Sequence, residues 1–203
     1  MIFLGYDPGG ARRNGLAIVD FRSAKPTAQT ATCSSVDEAV AWFRRHAEAD
    51  PDAIGIDALL SWATGPSGWR EMDKHLRDAY PAVQNSVLSS NSAYGSMAVQ
   101  GMALAIRMQE RWPEIHLNET HPKVLYHALT GQKYAPFRKT MVAWLKTQFS
   151  PSFDVEIKND HEWDALISAW ATWRGLTGQW KTDLMDGVDD LIRPAGLATY
   201  YWP

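Results

Sequence analysis

Residues 1–10 read MIFLGYDPGG and residues 15–21 read GLAIVDF. Ile2 to Asp7 has the apolar character of a buried strand, and Gly15 to Phe21 that of a second. PGGARRN, residues 8–14, joins them and is short enough for an antiparallel hairpin. The first strand ends on a carboxylate, Asp7, with Pro8, Gly9 and Gly10 directly behind it. An acid there needs a reason, because burying an unpaired carboxylate is costly.

Residues 27–34 alternate weakly and suit a third, edge strand. Ser35 and Glu38 form a capping box, opening a helix whose apolar positions are Val36, Ala39, Val40 and Phe43. DAIGIDALLS, residues 52–61, returns as a fourth buried strand. Two hairpin strands, a third, a helix and then a fourth predict a mixed sheet. The helix covers one face, and the fourth strand lies parallel to the first. A short charged helix over 70–80 follows. Met97, Gly101, Leu104, Ala105, Met108 and Trp112 then form one stripe of a longer helix. EIHLNET, residues 114–120, reads as a fifth strand with Ile115 and Leu117 inward. Helices are predicted over 122–130, 136–149 and 160–175, and another near 179–192.

The 203 residues, 45% apolar and 21% charged, suit one soluble domain with an insertion. A net charge of −3 lacks the basic footprint of avid nucleic-acid binders. Cys33 is the only cysteine, which excludes an internal disulfide and disfavours a cysteine zinc site. No apolar run approaches a membrane span and no leader pattern opens the chain; a cytoplasmic protein away from membranes is the expectation. The ten tryptophans fall mostly in or beside predicted helices and read as core.

Parallel neighbours bring the ends of the first and fourth strands together, so Asp7 and Asp57 project at one end of the sheet, where open α/β sheets bind ligands. The fifth strand ends on Glu119. In HEWDALISAWATW, residues 161–173, His161 and Asp164 share a helical face. The small residues beyond them let that helix dock closely, bringing Asp164 to the strand ends. Clustered carboxylates repel unless a cation intervenes. Each residue also has a purely structural reading: Asp7 as a turn residue, Asp164 as a first-turn acid, Glu119 as the partner of an arginine, His161 as a surface histidine, Asp160 as an N-cap. Arg12, Arg13 and Asn14 in the turn are candidates for phosphate contacts, with Arg70 and Lys74 further ones.

These motifs carry a resemblance. GYDPGG followed by NGLAIVD resembles the opening of RNase H-like folds. HEWDALISAWA resembles the last helix of RuvC-type Holliday-junction resolvases. IGIDALLS and ETHP resemble a group of predicted RNase H-like nucleases of unknown function. The resemblance runs from Met1 to about Trp173. It implies a single RNase H-like domain over 1–203: a five-stranded sheet in the order 3-2-1-4-5 with an antiparallel second strand, a helical insertion at about 62–113, and an unmatched tail at about 176–203. It implies two Mg²⁺ or Mn²⁺ ions held by Asp7, Asp57 and Asp164, with Asp7 bridging them. Resolvases carry glutamate where Asp57 stands, and two acids on the last helix where this chain has His161 and Asp164. Glu119 belongs only to the pattern of the unknown-function group. The implied activity is two-metal hydrolysis of phosphodiester bonds in DNA or RNA, with Asp7, Asp57, Glu119, His161 and Asp164 as catalytic residues; Arg12, Arg13, Asn14 and Arg70 are set toward the substrate by their place in the turn and the short helix, not by the resemblance. Resolvases are dimers, so a homodimer is also implied.

Two other readings compete. Actin-like nucleotide-binding proteins share the strand-hairpin opening, but they need two such domains, and no P-loop occurs here. A non-catalytic interaction module on the same fold suits the acidic charge, but has no need to keep mutually repelling acids.

Overall fold

The computed structural model describes residues 1–9, 13–91, 95–135, 139–150 and 153–203. Its main sheet has strands β1 (Ile2–Asp7), β2 (Asn14–Asp20), β3 (Thr27–Cys33), β4 (Ala53–Ile56) and β5 (His116–Glu119). Their order is β3-β2-β1-β4-β5. β2 is antiparallel to β1, while β4 is parallel to both β1 and β5. This is the order the resemblance implies.

Among the described residues six α-helices surround the sheet: α1 (Val36–His46), α2 (Glu71–Ala79), α3 (Gly95–Arg111), α4 (Pro122–Thr130), α5 (Lys139–Phe149) and α6 (Asp160–Leu176). The predicted start of α5 at 136–138 lies outside the described residues. Ser35 caps α1 by accepting from the Glu38 amide. Glu38 reaches back to the amide of Ser34, one residue before the cap. Asn159 caps α6 by accepting from the Glu162 amide, so Asp160 is the first helical residue and not the cap.

Strand alternation divides the core into two layers. On one face Ile2, Leu4 and Tyr6 of β1 and Ile54 and Ile56 of β4 pack with residues of α1 and α3. On the other, Phe3 and Ala53 join a cluster that includes Trp163, Ala165, Ala169 and Trp170 of α6. Three strand glycines seat α6 there. A Cβ on Gly5 would lie 1.8 Å from the Ala165 carbonyl oxygen, one on Gly15 1.9 Å from that of His161, and one on Gly55 2.3 Å from that of Ser168. Only hydrogen on those three strands permits the helix to lie this close. Thr120 Oγ1 donates to Ser168 Oγ at 2.8 Å, and Asn118 Nδ2 to Thr172 Oγ1 at 3.0 Å, fastening α6 to β5 and its end.

The predicted helix near 179–192 is not formed. Thr182–Asp183 pairs with Tyr201–Trp202, and Leu191–Ile192 with Trp62–Ala63. Gly178 and Gly187 have φ of 74° and 70°, a left-handed geometry that turns the chain and that L side chains resist. The tail also covers the free edge of β5, where the Glu119 amide donates to the Thr199 carbonyl, leaving no row of unpaired groups there.

Candidate metal centre

Asp7 closes β1, with the parity of Phe3 and Gly5. Asp57 follows β4 directly, with the parity of Ala53 and Gly55. The Asp57 amide donates to the Tyr6 carbonyl at 2.9 Å, continuing the ladder one step past the strand. Both carboxylates therefore project toward α6. That helix, drawn down onto the glycines, presents Asp164. One ligand atom from each of Asp7, Asp57 and Asp164 lies within 4.8 Å of the others. Asp7 and Asp164 are buried, and Asp57 is partly exposed.

Burial and like charge both oppose the ionisation of Asp7 and Asp164. Burial raises the Asp7 pKa to about 6; the His161 hydrogen bond opposes this and the Asp57 charge adds to it. Asp164 is raised well above the carboxylate range by burial, then by Asp7 and Asp57. Asp164 Oδ1 is buried with no hydrogen-bond partner, while Oδ2 accepts from the Tyr134 hydroxyl at 3.4 Å. An orphaned carboxylate oxygen among other carboxylates fits a hard cation, and an all-oxygen donor set suits hard cations over soft ones. These three acids can hold a metal ion.

His161 Nδ1 lies 2.6 Å from Asp7 Oδ2. With Asp7 ionised, the imidazole N–H donates and fixes the carboxylate. That hydrogen bond raises the His161 pKa against the lowering effect of burial. The turn behind Asp7 serves this contact: a Cβ on Gly9 would fall 2.4 Å from the His161 ring and 2.0 Å from the Arg13 carbonyl oxygen. The space cleared at Gly9 is filled by the chain itself.

Glu119 does not join the acids. It pairs in register with Ile56 and shares the parity of Leu117, on the face away from α6. Arg70 NH2 sits 2.6 Å from Glu119 Oε1, and NH1 donates to Oε2 at 2.8 Å. Arg70 also binds both Asp73 oxygens and Ser61 Oγ. The structural reading of Glu119, an arginine's partner, is the one found, and Arg70 is corrected with it. Its guanidinium is buried, and although burial lowers its pKa, Glu119 and Asp73 raise it further. It has no surface to offer a substrate. Asn14 is likewise corrected, being fully buried at the start of β2. Arg13 is exposed and stays a candidate, and Arg12 lies outside the described residues.

Three neighbours escape the sequence reading. His121 Nδ1 is 3.6 Å from Asp57 Oδ1. The Lys123 ammonium sits 5.2 Å from the Tyr134 ring centroid. Burial lowers the Lys123 pKa, but Asp164, Asp57 and Asp7 raise it more, so it stays charged. The signal for His121 and Lys123 was ETHP itself and the residue after it: a histidine N-cap and a first-turn lysine place basic groups at the strand ends.

A model of the family described as "Protein of unknown function (DUF429)" matches residues 5–184, and the chain belongs to that family. No curated protein and no solved structure matches the chain. Among the described residues no helix is long and apolar enough to cross a membrane.

Proposed function

From this family membership and the geometry of its acids, we propose that the protein is an RNase H-like, metal-dependent nuclease that hydrolyses phosphodiester bonds in nucleic acid. The observation that carries the reading is the convergence of Asp7, Asp57 and Asp164 from three separate elements, with one buried carboxylate oxygen left unpartnered. Two bound Mg²⁺ or Mn²⁺ ions would supply an activated water and stabilise the leaving oxygen.

The chain's own residues supply position and charge. Asp7, central and rigid at the end of β1, is held by His161. Asp164 contributes from the helix and Asp57 from the β4 end. Lys123 and the exposed Arg13 are the cations placed to receive substrate phosphate. With its Nδ1 engaged on Asp7, His161 positions that carboxylate and leaves Nε2 for a water or a substrate oxygen.

The test is a panel of labelled single strands, duplexes, hybrids, flaps and four-way junctions, each with Mg²⁺ and with Mn²⁺ at low salt. Low salt preserves the phosphate affinity of a protein whose net charge is −3. At least one substrate should be cut, and Asp164→Asn should lose turnover far more than binding. Failure to cut any of them, or full activity in Asp164→Asn, would leave a non-catalytic interaction module.

A further inference from the structure

A cleft of about 320 Å³ opens beside the acids, and Asp57, His121 and Lys123 belong to its wall. Its volume is at the lower end of the range for small-ligand sites, about 300–1,000 Å³. It suits one nucleoside and excludes a helix of nucleic acid. The wall also includes the aliphatic Leu59, Val87, Leu88 and Met97, the polar Asn85 and Ser86, and the acids Asp73 and Glu119, whose charges Arg70 pairs. Leu88 and Met97 are 38% and 39% exposed, an apolar rim at the mouth. The side chains of Asn85 and Ser86 make no hydrogen bond among the described residues, so they are free to meet a polar edge.

We propose that this cleft receives a single unpaired nucleobase next to the phosphate being cleaved, making the enzyme selective for single-stranded or locally opened nucleic acid. The inference rests on the nuclease reading above and names its substrate class. A phosphate at the acids places the adjoining nucleotide at the wall that Asp57, His121 and Lys123 share. Flat aliphatic walls accept the faces of a base, and Met97 adds a polarisable sulfur suited to aromatic contact. The free amide of Asn85 and hydroxyl of Ser86 match the donors and acceptors of a base edge. A base stacked in a duplex cannot enter such a cleft without leaving the helix. The charge argues the same way. A net charge of −3 gives little general phosphate attraction, so affinity must come from contacts that do not depend on charge.

The experiment uses the whole chain with Mn²⁺ and two single-stranded oligonucleotides, identical except that one lacks a single base beside a chosen phosphate. Wild type should cleave at that phosphate at least tenfold more slowly when the base is missing. Met97→Trp and Leu88→Trp fill the mouth from exposed positions. Both should melt like wild type, keep its Mn²⁺ affinity, raise KM at least tenfold and erase the difference between the two strands. Equal cleavage of both strands by wild type overturns the cleft proposal and leaves the nuclease reading standing. If wild type cleaves no strand, the nuclease reading falls, and calorimetry with adenosine 5′-monophosphate and Mn²⁺ decides for the cleft. Binding that Met97→Trp abolishes supports a base site, and absence of binding overturns it.

Discussion

The acid cluster should make the metal-free protein less stable than its packing allows, and Asp7→Asn exposes the size of that cost. Burial is the main cause raising Asp7 to about 6 from 3.8. Two pKa units correspond to ~3 kcal/mol between the charged and neutral forms. Because the folded pKa is the higher one, the native chain binds more protons than the unfolded chain between about pH 4 and pH 6. Stability is therefore greatest below the unfolded value and falls as pH rises through the folded one. Asparagine has the shape of the neutral acid. At pH 7.5 in chelator, Asp7→Asn should gain up to ~3 kcal/mol, which for a chain of this length raises Tm by roughly 6–12 °C.

The gain should shrink to nothing near pH 4, where the wild-type carboxyl is itself neutral. Mn²⁺ reverses the ranking. At a hundred times its dissociation constant a ligand adds ~2.7 kcal/mol to the wild type, and little to a variant that has lost its central ligand. Thermal unfolding by circular dichroism from pH 4 to 7.5, with and without Mn²⁺, reads all of this. A variant that melts at or below wild type at pH 7.5 in chelator refutes the reasoning. So does a gain that stays constant down to pH 4.

Further outcomes follow from the same geometry. Gly5→Ala places a methyl 1.8 Å from the Ala165 carbonyl, so α6 must lift; a loss of about 1–3 kcal/mol or more is expected in urea unfolding, together with weaker Mn²⁺ binding. Arg70→Met strands Glu119 and Asp73 in the interior and should cost about 3–5 kcal/mol, whereas Lys74→Ala, on an exposed pair with Glu71, should be nearly neutral; equal effects would contradict the buried pair. His161→Ala removes the hydrogen bond that lowers Asp7's pKa, so the pH at which Mn²⁺ affinity is half lost should move upward in calorimetry, and an unmoved profile would show that the histidine does not hold the carboxylate.

The sheet is legible in the sequence because each strand carries its own signal. IFLGYD and GLAIVDF have the density of buried strands, and PGGARRN has the length of a hairpin loop. The site is legible to the extent that parity makes it so. Asp7 and Asp57 both follow alternating runs whose glycines, Gly5 and Gly55, stand two positions earlier. That shared pattern marks the face that α6 must cover. The strand glycines are the signal overlooked: glycine weakens a strand interior unless another backbone approaches, and three neighbouring strands each carry one. Gly178 and Gly187, one just before and one within the stretch 179–192, carry a matching signal against a helix in the tail.

Glu119 shows where composition misleads and register decides. An acid at a strand end beside two others looks like a third ligand. Yet Ile115 and Leu117 read as inward, and Glu119 shares their parity, one residue out of phase with Asp57. Register aligns Ile56 with Glu119, so the position matching Asp57 is Thr120, whose hydroxyl bonds α6. A single-residue offset turns a carboxylate to the opposite face, where it must find a cation of its own. Arg70 meets that need, and so α2, whose N-cap is Arg70 and which the sequence shows as a short charged helix, is anchored to the sheet through a buried guanidinium. The same offset spares the cluster a fourth negative charge. Three carboxylates with Lys123 nearby suit a divalent cation; a fourth would add repulsion to the burial that already holds Asp7 and Asp164 above the ordinary carboxylate range. Placing Glu119 off the site therefore limits the negative charge that the three acids able to hold a metal ion must bear together.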